Sequence, residues 1–242
     1  MGEIWIMPTA ADLADAAADR FATLAASAVA ERGRFTVALS GGSTPEPVYR
    51  RLAREPWAES IDWARVEIFW GDERCVPPNH PDSNFGMVRR ALLDPAEVPT
   101  SSVHRIRGEH PPFEAARAYE QEIGRVLGRE GRFDLVLLGM GSDGHTASLF
   151  PGTSAVSERD RAVVPVWVDK VDAWRVTLTL PVINSARDVI FLVRGSGKAD
   201  AVSRVVNGEA LPATRVDPRR GKLTWLLDAD AAAGLPDELR SE

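Results

Sequence analysis

The feature that most restricts the fold of this chain is a repeated junction, in which a short apolar, β-branched run ends abruptly in glycine. FTVALS (35–40) runs into Gly41-Gly42, RVEIFW (65–70) into Gly71, and FDLVLL (133–138) into Gly139. The apolar run 189–193 leads through Arg194 to Gly195. Near-continuous apolar runs of this length predict strands buried on both faces, the habit of parallel sheets. Between them lies helical spacing. Leu13, Ala17, Phe21 and Leu24 share one face of segment 10–32, and Gly33 stands where a C-cap is needed. A helix carrying Val48, Tyr49 and Leu52 follows Pro45, and residues 83–93, 112–127, 181–186 and 199–206 also predict helices. After Pro151 the chain is richer in short β-runs, at 162–168, 175–180, 189–193 and 223–227. Strands alternating with helices predict an α/β fold: a Rossmann-like, largely parallel sheet with helices on both faces, and a smaller β-rich part. No repeat or low-complexity linker interrupts the 242 residues, so 1–242 reads as a single α/β domain.

Charge and cysteine usage narrow the function. The formal net charge is −6, which disfavours non-specific nucleic-acid binding, so any positive patch must be local. Cys75 stands alone, which excludes an intramolecular disulfide and a Cys-rich metal site; a small buried thiol is its expected role. The N-terminal residues lack a basic-then-apolar signal, and no apolar run approaches the roughly 20 residues that span a bilayer. The expected location is the cytoplasm, with no membrane partner.

In open α/β sheets, ligands bind beyond the carboxyl ends of the strands, and four junctions there carry chemistry. Ser40-Gly41-Gly42-Ser43-Thr44-Pro45 offers backbone N–H groups and hydroxyls ahead of a helix, a phosphate cradle in kind; Ser43 and Glu46 also match a capping box. Gly71-Asp72-Glu73-Arg74 sets two carboxylates and a guanidinium at a strand end, able to grip phosphate or to form a solvated turn. Gly139-Met140-Gly141-Ser142-Asp143-Gly144-His145 contains a formal GxGxxG. Pro151-Gly152 follows too soon for the long helix of a dinucleotide site, and Asp143 would face the pyrophosphate with a negative charge. The loop is better suited to presenting Asp143 and His145 to a cleft. An imidazole takes a proton from water near neutral pH, and a nearby carboxylate, Asp143 or Asp72, would fix its tautomer. His80, His104 and His110 lack such a setting and read as structural or exposed. Arg194-Gly195-Ser196-Gly197-Lys198 places a lysine at a helix start, and Arg175 precedes the run VTLTL; both are candidate phosphate contacts.

Together these stretches resemble the 6-phosphogluconolactonase family. The matching segments are ALSGGSTPEPVY (38–49), GDERCVPPNHPDSNFGMVRRALL (71–93), FDLVLLGMGSDGHTASLFPG (133–152) and RVTLTLPVINSARDVIFLVRGSGKA (175–199), in the same order. The resemblance implies a NagB-like fold and hydrolysis of 6-phospho-D-glucono-1,5-lactone to 6-phosphogluconate without metal or cofactor. It further implies that His145 is the base toward water and that Arg74 and Lys198 hold the phosphate. On the same basis the loop with Gly41, Gly42, Ser43 and Thr44 lines the pocket, and Arg175 is a further substrate contact. The expected partner is the small sugar-phosphate lactone alone, with the protein a monomer or homodimer.

Two rivals share the fold. Glucosamine-6-phosphate deaminases place a glutamate five residues after the loop histidine, where this chain has Phe150, and read DEY where this chain has Asp72-Glu73-Arg74. A non-catalytic sugar-phosphate sensor needs a DNA-binding module, yet residues 1–35 offer one alanine-rich helix with Asp12, Asp15 and Asp19 and no basic recognition helix. The lactonase reading is preferred over both.

Overall fold

The computed structural model describes residues 2–128 and 131–240. Two sheets organise it. Strands β1 (Glu3–Met7), β2 (Phe35–Leu39), β3 (Val66–Trp70), β5 (Leu135–Leu138), β8 (Asp188–Val193) and β9 (Lys222–Asp228) form a six-stranded sheet in the order β1-β9-β8-β5-β2-β3. Every neighbouring pair in it is parallel. Strands β4 (Asp72–Arg74), β6 (Val163–Val168) and β7 (Ala173–Leu178) form a small antiparallel sheet in the order β4-β7-β6. Gly71 joins the two: its N–H donates to Leu39 O at 2.8 Å, and its carbonyl accepts from Leu178 N at 2.8 Å.

The strands form where their side chains can all be buried. Every residue of β2 and β5 is buried, and β3 and β8 each keep one partly exposed position. Helix α1 (Ala10–Arg32) begins at Thr9, whose hydroxyl accepts from Asp12 N, and ends at Gly33 with φ 77°, a left-handed cap that favours glycine. It buries Leu13, Ala17 and Phe21 and packs against β1, β2 and β9. Leu24 is only partly buried, on the rim of that face. The remaining helices are α2 (Glu46–Leu52), α3 (Trp57–Ser60), α4 (Asn84–Val88), α5 (Pro112–Leu127), α6 (Leu180–Ile183) and α7 (Ala199–Val206). Among the described residues, no helix is long and apolar enough to cross a membrane.

Four elements differ from the sequence-based expectation. Strand β1 lies at the sheet edge and keeps a half-exposed face, so its five residues lack the fully apolar signature of the interior strands. Residues 72–74 are not a solvated turn but a buried strand of the second sheet. The 83–93 helix is α only to Val88 and then widens into a π turn over Arg89–Leu93. Ser43 and Glu46 do not form a capping box: α2 starts from Pro45 with no side-chain cap, and Glu46 pairs with Arg50 at 2.6 Å instead.

The strand order reverses direction between β5 and β2. From β2 the chain passes outward to β3, and from β5 it passes the other way to β8 and β9. Loops leaving adjacent strands in opposite directions open a crevice at the carboxyl end of the sheet.

Candidate active site

That crevice is a cleft of about 240 Å³. Gly41, Gly42, Ser43 and Thr44 line it from the end of β2, Asp72 and Arg74 from β4, and His145 from the loop after β5. Arg175 of β7 and Lys198, just before α7, complete the wall. Asp143 stands behind the imidazole rather than on the wall. All ten residues singled out in the sequence thus meet around one cavity or directly behind it. A larger cavity of about 590 Å³, bordered by Phe85, Arg89, His104 and Arg105, holds none of them. Its histidine, His104, is bound between Glu67 and Glu122 at 2.7 Å on each side and stacks on Phe69, a structural role.

The loop after β5 is shaped around His145. Gly141 N donates to His145 O, and Asp143 Oδ1 lies 2.5 Å from His145 Nδ1. A Cβ on Gly141 would sit 2.1 Å from Nδ1, so only glycine lets the ring lie against the backbone. On its other side the ring stacks on Phe150, with centroids 4.0 Å apart and planes inclined by 20°. Burial pushes the imidazole below its ordinary value of 6.5; the carboxylates of Asp143 and Asp72 oppose that shift and Lys198 adds to it. The ring is therefore neutral at pH 7. With Nδ1 engaged by Asp143, its lone pair is left on Nε2. Burial would raise the carboxyl of Asp143, but the hydrogen bonds from Lys170 and His145 outweigh it and hold the group far below the usual range.

Of the two carboxylates open to the role of orienting His145, Asp143 makes the contact. Asp72 is buried and turned elsewhere: its Oδ2 accepts from Ser148 Oγ at 2.5 Å and its Oδ1 from Asn84 Nδ2 at 3.2 Å. It reaches His145 only through its field. Glu73 faces away from the cleft and organises the 83–86 turn, accepting from the backbone N–H groups of Arg74, Asn84 and Phe85 and from Ser83 Oγ.

The register of the small sheet places Arg74 directly opposite Arg175. Like charges in facing positions are destabilising, and the Nε atoms of both are buried with no protein partner. Arg74 Nη1 donates to Asp82 O, while the Arg175 guanidinium lies 6.0 Å from the Phe150 ring. Burial and Arg74 together push Arg175 below the ordinary arginine value, against the carboxylates of Asp72, Glu73 and Asp82. Burial also lowers Lys198, and Asp143 opposes it. Two facing guanidiniums with a lysine on the same cleft have the charge and the donors that recognition of a multivalent anion requires. Cys75, next along β4, is half-buried, and burial pushes its thiol up to about 11, so it is unreactive near neutrality.

Asn84 on the wall, and Ser148 and Lys170 behind it, carried no usable local signal. Asn84 fixes Asp72 and the glycine turn together: its side chain sits where a Cβ on Gly41 would fall, at 1.8 Å. Ser148 and Lys170 bond the two aspartates. Each is an ordinary polar residue until the fold sets it beside a carboxylate. Among the described residues, no group of three or more His, Cys, Asp or Glu side chains is arranged to hold a metal ion.

Comparison with known proteins shows what the whole chain is similar to. Residues 8–225 match the family described as glucosamine-6-phosphate isomerases/6-phosphogluconolactonase. A 6-phosphogluconolactonase of Synechocystis sp. is 43% identical over 218 residues, covering 86% of this chain and 88% of its own. The solved 6-phosphogluconolactonase of Trypanosoma brucei superposes with a TM-score of 0.88 at 30% identity, over 98% of this chain and 99% of its own. A monomeric glucosamine-6-phosphate deaminase of the NagB superfamily, at 24% identity and a TM-score of 0.81 over 96% of this chain and 99% of its own, shares the fold.

Proposed function

This chain belongs to the glucosamine-6-phosphate isomerase/6-phosphogluconolactonase family, and from that premise we propose that it hydrolyses 6-phospho-D-glucono-1,5-lactone to 6-phosphogluconate by a water that His145 activates. The observation that carries the proposal is the pairing in one cleft of a neutral, carboxylate-held imidazole with the facing guanidiniums of Arg74 and Arg175. The arginines and Lys198 take the phosphate, which fixes the sugar and brings its C1 carbonyl to His145. Nε2 accepts a proton from water as the oxygen attacks C1, and Asp143 stabilises the imidazolium that forms. Gly41, Gly42 and Ser43 border the same cleft, and their backbone N–H groups are the donors proposed for the tetrahedral oxyanion. Collapse breaks the C1–O5 bond, and His145 returns its proton to the leaving ring oxygen.

Phe150 supports this reading over the deaminase. Its ring stacks on the imidazole and lies 6.0 Å from the Arg175 guanidinium, at the position where the deaminase sequence has a carboxylate, and an apolar ring cannot shuttle a proton for ring opening. The test is the initial rate of acid release from fresh 6-phosphogluconolactone, against a no-enzyme blank because the lactone hydrolyses spontaneously. Acceleration that persists in EDTA, with no ammonia from glucosamine 6-phosphate, is expected. Ammonia release without lactone acceleration would overturn the proposal.

A further inference from the structure

We propose that Lys170 is a positioning residue for the reaction, holding Asp143 from the side opposite His145 and so setting both the orientation and the charge of the base; this rests on the proposed role of His145. Lys170 Nζ lies 2.8 Å from Asp143 Oδ2, while the other oxygen of the same carboxylate, Oδ1, lies 2.5 Å from His145 Nδ1 and accepts from His145 N at 3.2 Å. The carboxylate is therefore fixed at both ends. Without the lysine it could rotate, and the imidazole plane would no longer be defined by a rigid acceptor.

Lys170 comes from outside the loop it supports. It lies in the single 3-10 turn Asp169–Val171 that connects β6 to β7. Trp167 Nε1 donates to Asp169 Oδ1 at 2.9 Å, and Asp172 closes the turn in the left-handed region with φ 48°. The rings of Trp167 and Trp174 pack edge to face across the hairpin, with centroids 5.7 Å apart. The small antiparallel sheet thus contributes to both ends of the cleft: Arg74 and Arg175 at the anion end, and Lys170 behind the base.

The charges facing His145 are Asp143 on its own loop, Asp72 on β4, and Lys198 ahead of α7, with Arg175 across the Phe150 ring. Those facing Asp143 are His145, Lys170 and Lys198. Lys170 is the cation bonded to the carboxylate that stabilises the imidazolium. Its removal leaves that negative charge less compensated, which favours the protonated ring and raises the imidazole pKa. Less neutral base is then present at a given pH, and the acid limb of the rate profile moves to higher pH.

Lys170→Met and Lys170→Arg in the full chain test this with two readouts. The first is the NMR titration of the His145 imidazole, assigned by its loss in His145→Asn. Lys170→Met should raise that pKa by about half a unit at low salt, shrinking as salt screens an exposed pair. The second is turnover: kcat should fall about 2- to 5-fold with KM little changed. Lys170→Arg, which keeps the charge and donors, should restore both. The lysine side chain is 61% exposed, so the thermal midpoint should not move. An unshifted titration in Lys170→Met, or an Arg variant as altered as the Met variant, would overturn the inference. If the wild-type protein fails to hydrolyse the lactone, the functional proposal falls, while the titration still decides whether Lys170 sets the charge of His145.

Discussion

The two ends of the parallel sheet treat their polar groups in opposite ways. At the amino ends, Asp134 is buried and fully engaged: it accepts from Thr36 N and Oγ1 at 2.8 and 2.9 Å and pairs with Arg32 at 3.0 Å and Arg187 at 3.4 Å. Asp188 pairs with Arg20 at 2.9 Å, leaving the buried Arg20 Nε as an exception. At the carboxyl ends, Ser40 Oγ, Asn84 Oδ1, Arg74 Nε and Arg175 Nε are all buried without a protein partner, and two guanidiniums face each other. Buried polar groups are normally satisfied. One end of the sheet spends its charges on holding strands together, and the other leaves several polar groups without a protein partner. Stability and chemistry are therefore separable by mutation.

The sharpest break in that comparison is His145→Asn, which removes the proposed base while leaving the amino-end network intact. Loss of a general base typically lowers kcat by about 10²–10⁴-fold, and the thermal midpoint should stay near that of the wild type. Because burial lowers the imidazole pKa, the midpoint of the acid limb of the wild-type rate profile should lie below pH 6.5, the proposed base being protonated as pH falls through it. An acid-limb midpoint above pH 6.5 would contradict the lowered imidazole pKa.

A smaller effect is expected at the anion end. Arg74→Ala or Arg175→Ala removes a charge-assisted contact worth about 1.5–3 kcal/mol, or roughly 10- to 150-fold in affinity. The loss should appear with the phosphorylated lactone and vanish with unphosphorylated gluconolactone. Equal losses on both lactones would count against phosphate recognition. Relief of the facing charges should leave the fold as stable as before, or slightly more so.

The converse test is Asp134→Ala. It leaves the buried Thr36 N–H without its acceptor, at a cost of about 1–3 kcal/mol, and should lower the denaturant midpoint without changing kcat or KM. A drop in kcat in the still-folded variant would show that the two ends are coupled.

Much of the fold was legible because its determinants are local. Strands β2, β3, β5 and β8 announce themselves as apolar runs, and the helix at 10–32 by its spacing and Gly33. Strand β1 was not legible because an edge strand does not need two apolar faces. Strand β4 was not legible because Asp72-Glu73-Arg74 is polar throughout; Asp72 and Glu73 are buried only because Asn84, Ser83, Ser148 and the 84–85 backbone satisfy their carboxylates. The widening of the 83–93 helix into a π turn likewise left no mark in the periodicity.

By itself, the sequence determined the sites of turning. Glycines after buried strands place Gly41, Asp72, His145 and Lys198 at one end of a parallel sheet, since strands that run the same way deliver all their carboxyl ends to the same side. It also determined which side chains were available there. Tertiary structure alone decided how they pair. Asp143 rather than Asp72 orients the imidazole, because Ser148 and Asn84 already hold Asp72. Arg74 faces Arg175 because the small sheet pairs β4 with β7 antiparallel, and Lys170 reaches Asp143 because the β6–β7 turn ends over the loop after β5. Such pairings depend on directions and distances between segments remote in the chain, which no local pattern of residues records.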